Sequence, residues 1–513
     1  MRQVFFAVAV ALIVAQFTSL LAFTARIADH SAIVGVGSDD AANAVQVTLR
    51  SQWWSNNDFT PYGPVYFRLA NSLRQLAPWP SVYAVESVEG RELAAHFAMT
   101  LVSLLSAFAL ALVLAFLLWS RWSARLLMTA LLTAAFLHNP VWSKMLLTAH
   151  PDWLFSLFVT LALIFTLESM ERPENLRLFK TAAILWGVAG SIKLTIVLFV
   201  PVFVFMWGRP WDLAIRKQAL RFAGWMAIGF FAIGFPQNFL LPKMIKFLSA
   251  QSRLSVSPGP DDLLDWVRLF ADQLWLPALV LITGWLVLGG RESRRFRYGK
   301  KTLLRAVFII AVPTLWMISR KVLSPFDYYP MPFVAMLLAL LALGLRHWTP
   351  PNFPKAFPAV FALGLLAMRM TLGFVPPAMG EMTEAMQKCR PEARVVYGKV
   401  KAWIAKGHKV HVDPYTPYPN GPEYRGILFR EWFNTWELMD RRDVQIAVFS
   451  SSFYSRYLPD TIEAYVKIEN SSWEASRDFY RSVRDKAEAT SPQGHVWHKI
   501  DSDSCGFEFW QRD

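Results

Sequence analysis

Charged residues are scarce in this chain. Only 18% of its 513 residues are Asp, Glu, Lys or Arg, whereas 54% are hydrophobic and the mean hydropathy is +0.30. Soluble globular domains usually carry about 25% charged residues. The composition therefore excludes a purely cytosolic enzyme.

Acidic residues are also few, with 38 Asp+Glu against 52 Lys+Arg and a net charge of +14. Such a balance is typical of nucleic-acid-binding proteins only when the basic residues cluster on one soluble face. Here 33 basic and 18 acidic residues precede Pro376, whereas 19 basic and 20 acidic residues follow it. The excess of positive charge lies between apolar segments, as in membrane proteins that obey the positive-inside rule, and nucleic acid is excluded as a partner.

Apolar runs long enough to cross a membrane recur through the first three-quarters of the chain. A membrane-spanning helix needs roughly 20 mostly apolar residues. The sequence predicts eleven spans, which are Val4–Phe23, Ala94–Trp119, Leu126–Leu137, Trp153–Leu167, Thr181–Ser191, Leu194–Trp207, Phe222–Leu241, Trp275–Gly289, Leu303–Ile318, Phe333–Leu345 and Ala356–Phe374. The chain is thus expected to be a polytopic α-helical membrane protein.

The distribution of charge predicts the topology. The stretch Thr181–Trp207 is either one long helix or two short ones broken at Gly190-Ser191-Ile192-Lys193. With two helices and a cytoplasmic N-terminus, the cytoplasmic side holds 19 basic and 5 acidic residues, against 14 and 13 on the outer side. This asymmetry favours two helices, and eleven spans then place the C-terminal tail outside the membrane.

The first apolar run has a second interpretation. Arg2, the hydrophobic stretch and the small residues near Ala22 also fit a cleaved signal peptide. The run is long for a signal core and further spans follow it, so we expect a membrane helix here.

Two regions outside the predicted spans are large. One is the first outer loop, residues 24–93, within a membrane domain of residues 1–376, and the other is the tail, residues 377–513. The tail alternates strand-like and helix-like stretches, which predicts a small extracytoplasmic α/β domain. No internal repeat is evident.

The chain contains only two cysteines, Cys389 and Cys505, and both lie in the tail. An oxidising compartment permits a disulfide between them, and closing a loop of this length would stabilise the domain by about 4 to 5 kcal/mol in the chain-entropy model. The alternative is two unrelated thiols.

A pair of acids follows the first helix closely. Asp39 and Asp40 are adjacent, and neighbouring carboxylates repel, which suits a general base or a cation site. Equally, either side chain could cap the N-terminus of a following helix. A divalent cation held by Asp39, Asp40 and Asp152 is compatible with the sequence, but no spacing requires one.

Further candidates lie at the predicted outer ends of the spans. They are the aromatic residues Tyr62 and Tyr66, then His150 and Asp152, then the basic residues Lys193, Arg320 and Lys321, then Tyr328 and Tyr329. The basic groups could hold a lipid phosphate. Each feature also has a plainer interpretation: an interfacial aromatic belt for the tyrosines, an N-terminal cap for Asp152 and snorkelling for the cations.

In this order the features resemble the C-type (GT-C) integral membrane glycosyltransferases, which use polyprenyl-phosphate-linked sugars. The resemblance is to the group of the aminoarabinose transferases, protein O-mannosyltransferases and rhizobial core glycosyltransferases. It rests on the acidic pair, a Pro-aromatic segment, an Asp opening the fourth helix, a small-residue break before a Lys and an aromatic-Pro entry to a late helix. The matching residues are Asp39-Asp40, Tyr62-Gly63-Pro64-Val65-Tyr66-Phe67, His150-Pro151-Asp152, Gly190-Ser191-Ile192-Lys193 and Tyr328-Tyr329-Pro330. Where relatives often carry a Lys before the Pro pair, this chain has Tyr62-Gly63.

The resemblance implies direct displacement on the extracytoplasmic side of a bacterial inner membrane. Asp39 or Asp40 would take the proton of the acceptor hydroxyl, and the sugar would pass with inversion to a glycan, lipid or protein. Lys193, with Arg320 or Lys321 as alternates, would stabilise the leaving lipid phosphate.

Two other functions fit a polytopic protein. A transporter or lipid flippase would use membrane-embedded charges to line a pathway, but it would have little use for a long outer loop with paired acids. The helices could also merely anchor the tail, yet eleven spans exceed what anchoring requires.

Overall fold

A computed structural model shows helices in the first part of the chain and a small sheet in the tail. It describes residues 6–7, 10–22, 48, 63–76, 88–147, 150–194, 196, 213–240, 242, 245, 261–288, 298–319, 330–346, 392–413, 416–419, 422–431, 434–450 and 471–513. Statements about structure below refer to these residues.

The helices of the first part follow one another in chain order. They are α1 (Val10–Ala22), α2 (Pro64–Leu76), α3 (Val88–Leu118), α4 (Trp122–His138), α5 (Pro140–Leu147), α6 (Asp152–Glu171), α7 (Leu176–Ile192), α8 (Leu213–Gly234), α9 (Asp261–Leu288), α10 (Lys300–Ser319) and α11 (Met331–Leu345). Their buried side chains form one hydrophobic core.

Several of these helices are suited to a membrane. Within the described residues, three stretches are long and apolar enough to cross one, namely Leu93–Leu118, Asp152–Glu171 and Trp266–Leu288. The pair α4 and α5, bent by 95° at their junction, adds a fourth if it counts as one span, while α1 and α11 are shorter apolar helices. Apolar helices long enough to cross a membrane are therefore present. The number eleven stays a prediction, because Leu194–Trp207 and Ala356–Phe374 lie essentially outside the described residues.

Contacts between helix ends define two faces of the bundle. At one end Lys193, which follows α7, contacts Asp152, which opens α6. We call this end the site face. At the other end Glu168 and Glu171 of α6 bind Tyr298 and Gly299, which precede α10. We call this end the far face, and α6 runs from the site face to the far face.

Helices α7 and α8 run parallel to each other. The ring centroids of Phe179, near the start of α7, and Phe222, in the first half of α8, are 5.4 Å apart. Near their ends, the Ser191 hydroxyl donates to the Phe230 carbonyl at 2.6 Å. Helix α7 ends at Ile192, with Lys193 as its C-cap residue. This end agrees with the predicted break in Thr181–Trp207, whereas the second predicted helix, Leu194–Trp207, lies essentially outside the described residues.

Glycines bring α7 and α8 into close contact. A Cβ on Gly187 would lie 2.0 Å from the Met226 carbonyl oxygen, and a Cβ on Gly229 would lie 2.4 Å from that of Ile184. Only glycine leaves room for such backbone approach between helices. The position of the last turn of α7, and of Lys193 beyond it, therefore depends on α8.

Two short helices were not predicted. Asn139 accepts from the backbone N–H of Val141 at 2.9 Å and so caps α5, which begins at Pro140. Helix α2 likewise begins at a proline, Pro64. Proline favours the first position of a helix because its missing N–H is not needed there.

The tail folds into a six-stranded sheet with helices on both sides. Its elements are helix α12 over residues 392–405, β1 (Val410–Val412), β2 (Leu428–Arg430), α13 (Trp436–Arg441), β3 (Ile446–Ser450), α14 (Ser471–Val483), β4 (Glu488–Thr490), β5 (Val496–Ser502) and β6 (Phe507–Arg512). The strand order is β2-β1-β3-β6-β5-β4, with β2, β1 and β3 parallel and the rest antiparallel. The small C-terminal sheet agrees with the predicted α/β character, and the antiparallel half is additional.

Alternation along β3 separates the two cores of the tail. Ile446 and Val448 pack with the residues of α12, whereas Ala447 and Phe449 pack with those of α13 and α14. Successive side chains of a strand point to opposite faces, so each face receives every second residue. Cys505 is disulfide-bonded, and Cys389 lies outside the described residues.

Enlarging a glycine between α7 and α8 should destabilise the protein. For Gly187→Ala we expect a lower midpoint of thermal unfolding in detergent, because the added methyl group would collide with the Met226 carbonyl; overpacking of this kind costs about 1–3 kcal/mol. Gly224→Ala is the matched control, since a Cβ there meets nothing within 4 Å. An unchanged midpoint in Gly187→Ala would contradict the close helix contact.

The tail should lose stability in mild acid. Burial lowers the pKa of His411 to about 4, and its ring Nε2 lies 2.6 Å from the Asn434 side-chain oxygen. Because an unfolded histidine has a pKa of about 6.5, the unfolded state binds more protons between these values, and stability falls by about 3 kcal/mol as the pH drops through them. Hydrogen exchange of β3, expressed as protection factors at several pH values, measures this loss. His411→Gln should flatten the dependence while His495→Gln leaves it intact, and an equal slope in both variants would argue against His411.

Candidate active site

The structure describes four of the predicted site residues and brings them together. They are Tyr66, His150, Asp152 and Lys193. The other predicted site residues lie outside the described residues, namely Asp39, Asp40, Tyr62, Arg320, Lys321, Tyr328 and Tyr329. Their roles stay predictions.

Three of the four form a buried ion cluster. The Lys193 Nζ donates to both carboxylate oxygens of Asp152, at 2.8 and 2.9 Å. The Nδ1 of His150 contacts the same carboxylate. The side chains of His150 and Asp152 are 1% exposed and that of Lys193 is 6% exposed. One carboxylate is thus shared by two basic groups away from water.

Helix ends position the cluster. Asp152 is the first residue of α6 and Lys193 is the C-cap residue of α7, and each charge is the one that the helix dipole favours at that end. The N-cap residue of α6 is Pro151, which provides no side-chain cap. The Asp152 carboxylate pairs with Lys193 instead, and the Lys193 amino group is buried rather than directed to the membrane surface, so capping and snorkelling do not account for these residues.

Tyr66 connects α2 to the cluster through α3. Its hydroxyl donates to the Met99 carbonyl at 2.9 Å and lies 3.0 Å from the Ser103 hydroxyl, which donates to the His150 carbonyl at 3.3 Å. The ring is fully buried, which excludes an interfacial aromatic belt for this residue. Burial also raises the pKa of the Tyr66 hydroxyl, which therefore stays neutral.

The Pro-aromatic segment docks on the break that leads to Lys193. The Gly63 N–H donates to the Ile192 carbonyl at 3.0 Å. A Cβ on Gly63 would lie 1.9 Å from the Ser191 carbonyl oxygen, so only glycine fits there. Two motifs that are distant in sequence therefore meet through their backbones.

Some residues around the cluster were not predicted. Asn238 donates to the Ser191 hydroxyl at 2.9 Å, and the Arg68 guanidinium donates to the Ile233 carbonyl at 3.1 Å. The sequence does contain a signal for Ser103, because Thr100 and His96 precede it at helical spacing in an otherwise apolar span. Polar residues on one face of a membrane helix indicate a buried polar contact.

The cluster combines one acidic and two basic side chains. The formal charge of these three side chains is zero with a neutral imidazole and +1 with a protonated one. In the part of the chain that the structure describes, no group of three or more His, Cys, Asp or Glu side chains could hold a metal ion. Hydrogen bonds from a lysine or a protonated histidine to a phosphate are among the stronger ones in proteins.

Known proteins offer only a loose likeness. No protein-family model and no curated protein matches the chain. Among solved structures it is similar to ArnT from Cupriavidus metallidurans in the apo state, with 14% identity, a TM-score of 0.49 and coverage of 88% of this chain and 95% of that one. ArnT bound to undecaprenyl phosphate gives 13% identity, a TM-score of 0.45 and coverage of 86% and 95%. At such identities and TM-scores the likeness does not show the family, and membership of the GT-C group stays a prediction.

Replacing Gly63 should loosen α2 from the site. In Gly63→Ala the methyl group would displace the backbone from Ser191, and we expect faster hydrogen exchange over Pro64–Leu76 together with a loss of stability of about 1–3 kcal/mol. Gly344→Ala in α11, where a Cβ meets nothing within 4 Å, is the control. Unchanged exchange in Gly63→Ala would show that the Gly63–Ile192 contact does not hold α2.

Proposed function

We propose that the chain is an integral membrane glycosyltransferase that transfers a sugar from a polyprenyl-phosphate-linked donor to a glycan, lipid or protein acceptor. The observation that carries the proposal is the assembly of Tyr66, His150, Asp152 and Lys193 in one buried place. These residues belong to three separate sequence motifs, each of which resembles a motif of this class of enzyme.

The charge of the two faces supports an outer location for the site. Basic residues collect at or near the far face, where the described ones are Arg121, Arg125, Arg172, Arg177, Lys180, Arg216, Lys217, Arg221, Lys300, Lys301, Arg305 and Arg346. Under the positive-inside rule the far face is cytoplasmic and the site face is extracytoplasmic. The disulfide at Cys505 fits a tail in an oxidising compartment such as the bacterial periplasm.

In the proposed mechanism, Asp39 or Asp40 removes the proton of the acceptor hydroxyl. The acceptor oxygen forms a bond to the anomeric carbon, while the bond from that carbon to the phosphate oxygen breaks and its electron pair stays on the phosphate. The leaving phosphate gains negative charge, which cations stabilise. Lys193 provides one, with Arg320 and Lys321 as further candidates, and the aromatic residues Tyr62, Tyr328 and Tyr329 contact the donor.

A donor with a lipid chain and a charged headgroup fits a site at the end of apolar helices. The polyprenyl chain stays in the hydrocarbon, whereas its phosphate and sugar lie at the surface. A buried ion cluster at the site face is in reach of such a headgroup without drawing the charged group through the membrane, which would be costly.

Removal of the acidic pair tests the enzyme class. Purified protein in detergent is offered a panel of polyprenyl-phosphate sugars with lipid and glycan acceptors, and release of polyprenyl phosphate is measured. For the double variant Asp39→Asn/Asp40→Asn we expect turnover to fall about 10²- to 10⁴-fold, the usual effect of losing a general base.

Asp29→Asn, in the same outer loop, is the matched control and should remain active. Full activity of the double variant would refute the assignment of the base. If no donor gives release of polyprenyl phosphate and a substrate passes through the protein in liposomes, the protein is instead a transporter.

A further inference from the structure

Lys193 by itself does not give the site a positive charge. Both hydrogen bonds to Asp152 are short, so the ammonium and the carboxylate neutralise each other. A neutral ion pair attracts a phosphate far less than a cation does, since the attraction by one member is opposed by repulsion from the other. A site that holds lipid phosphate needs a further charge.

His150 is placed to supply that charge. Its Nδ1 contacts the carboxylate that already binds Lys193. Nearby groups in the described structure include Asp152 at the start of α6 and Lys193 after α7. The Ser103 hydroxyl of α3 donates to the His150 backbone carbonyl and lies 3.0 Å from the Tyr66 hydroxyl of α2. Among His150 and these neighbours, only the His150 imidazole is of a type that ordinarily changes its charge between pH 5 and 8.

We propose that His150 gives the site its positive charge, by taking up a proton when a phosphodiester headgroup binds at the ion cluster. The inference rests on the proposed function, because it assigns the phosphate of the donor to this cluster. Its content is new: the anion is held by the protonated imidazole and Lys193 together, and Asp152 orients both.

Burial couples the proton to the ligand. A protonated His150 leaves the cluster with a net charge of +1 in a place where His150 and Asp152 are almost completely buried. A net charge on these three side chains is unfavourable there, whereas a phosphodiester with its single negative charge would offset it. Anion binding and protonation therefore favour each other, and the coupling is reciprocal.

The direction of the pH dependence follows from this coupling. The complex contains one more proton than the free protein, so the affinity for a phosphodiester falls as the pH rises. The fall approaches about tenfold per pH unit where the free protein has an unprotonated His150 and the complex a protonated one. Tyr66 does not contribute, because its hydroxyl stays neutral.

The test measures binding and proton uptake together. The probe is a farnesyl methyl phosphodiester, which has the isoprenoid chain and one phosphate charge that does not titrate in this range. Calorimetric titration of the full-length protein in detergent, in buffers of different ionisation enthalpy between pH 5 and 8, gives the affinity and the number of protons bound. For the unmodified protein we expect uptake of up to one proton and tighter binding at low pH.

Two variants locate the proton. In His150→Gln we expect no uptake, an affinity independent of pH, and binding at pH 5 that is about 5- to 150-fold weaker, the usual range of such couplings. His138→Gln replaces a half-buried histidine at the end of α4 and should behave like the unmodified protein. If His150→Gln does not fold, the proton count of the unmodified protein decides alone, since zero uptake overturns the proposal.

The outcomes separate this inference from the proposed function. Binding without proton uptake, or uptake that persists in His150→Gln, would overturn the role of His150 and leave the glycosyltransferase intact. No binding of the phosphodiester at any pH would count against both, because the site would then not accept a lipid phosphate.

Discussion

The contact between Asp152 and Lys193 joins two antiparallel helices at the site face, and the surrounding contacts converge on it. Breaking a buried ion pair by removing one partner typically costs 3–5 kcal/mol, since the other charge is left without compensation. The pair is therefore a constraint as much as a source of chemistry. The position of Lys193 depends on the end of α7. That end is fixed by the glycine contacts between α7 and α8 and by the contact of Gly63 with Ser191 and Ile192.

Long apolar segments could be predicted well from the sequence. Trp153–Leu167 was predicted and Asp152–Glu171 is observed, and Ala94–Trp119 corresponds to Val88–Leu118. A run of this length has few alternatives to a helix in a bilayer, because every backbone polar group must be satisfied within the segment. The short helices α2 and α5 escaped prediction because their apolar runs are brief, and the prolines that open them resemble turn signals.

The site could be predicted residue by residue but not as an arrangement. Asp152 and Lys193 each belong to a motif that resembles the GT-C pattern. They are 41 residues apart, and the sequence does not indicate that they form a pair. Likewise, the sequence shows Gly63 only as a departure from the GT-C pattern, which often has a lysine at this place. In the structure Gly63 makes a backbone contact that leaves no room for a side chain. Contacts between elements depend on packing that a single sequence does not reveal, and the antiparallel strands β4 to β6 illustrate the same limit in the tail.

Helix α6 is tied down at both ends, and this restricts how the protein can move. Its 20 residues span about 30 Å, with Asp152 bound to Lys193 at one end and Glu168 and Glu171 bound to Tyr298 and Gly299 at the other. Sliding or rotating α6 by one turn would break the attachments at both ends together. In alternating-access transporters one half of the bundle rocks against the other. Such a motion would strain the end contacts of α6 unless α6, α7 and the start of α10 moved as one body. Under the proposed function, the donor headgroup would thus come to a stationary site.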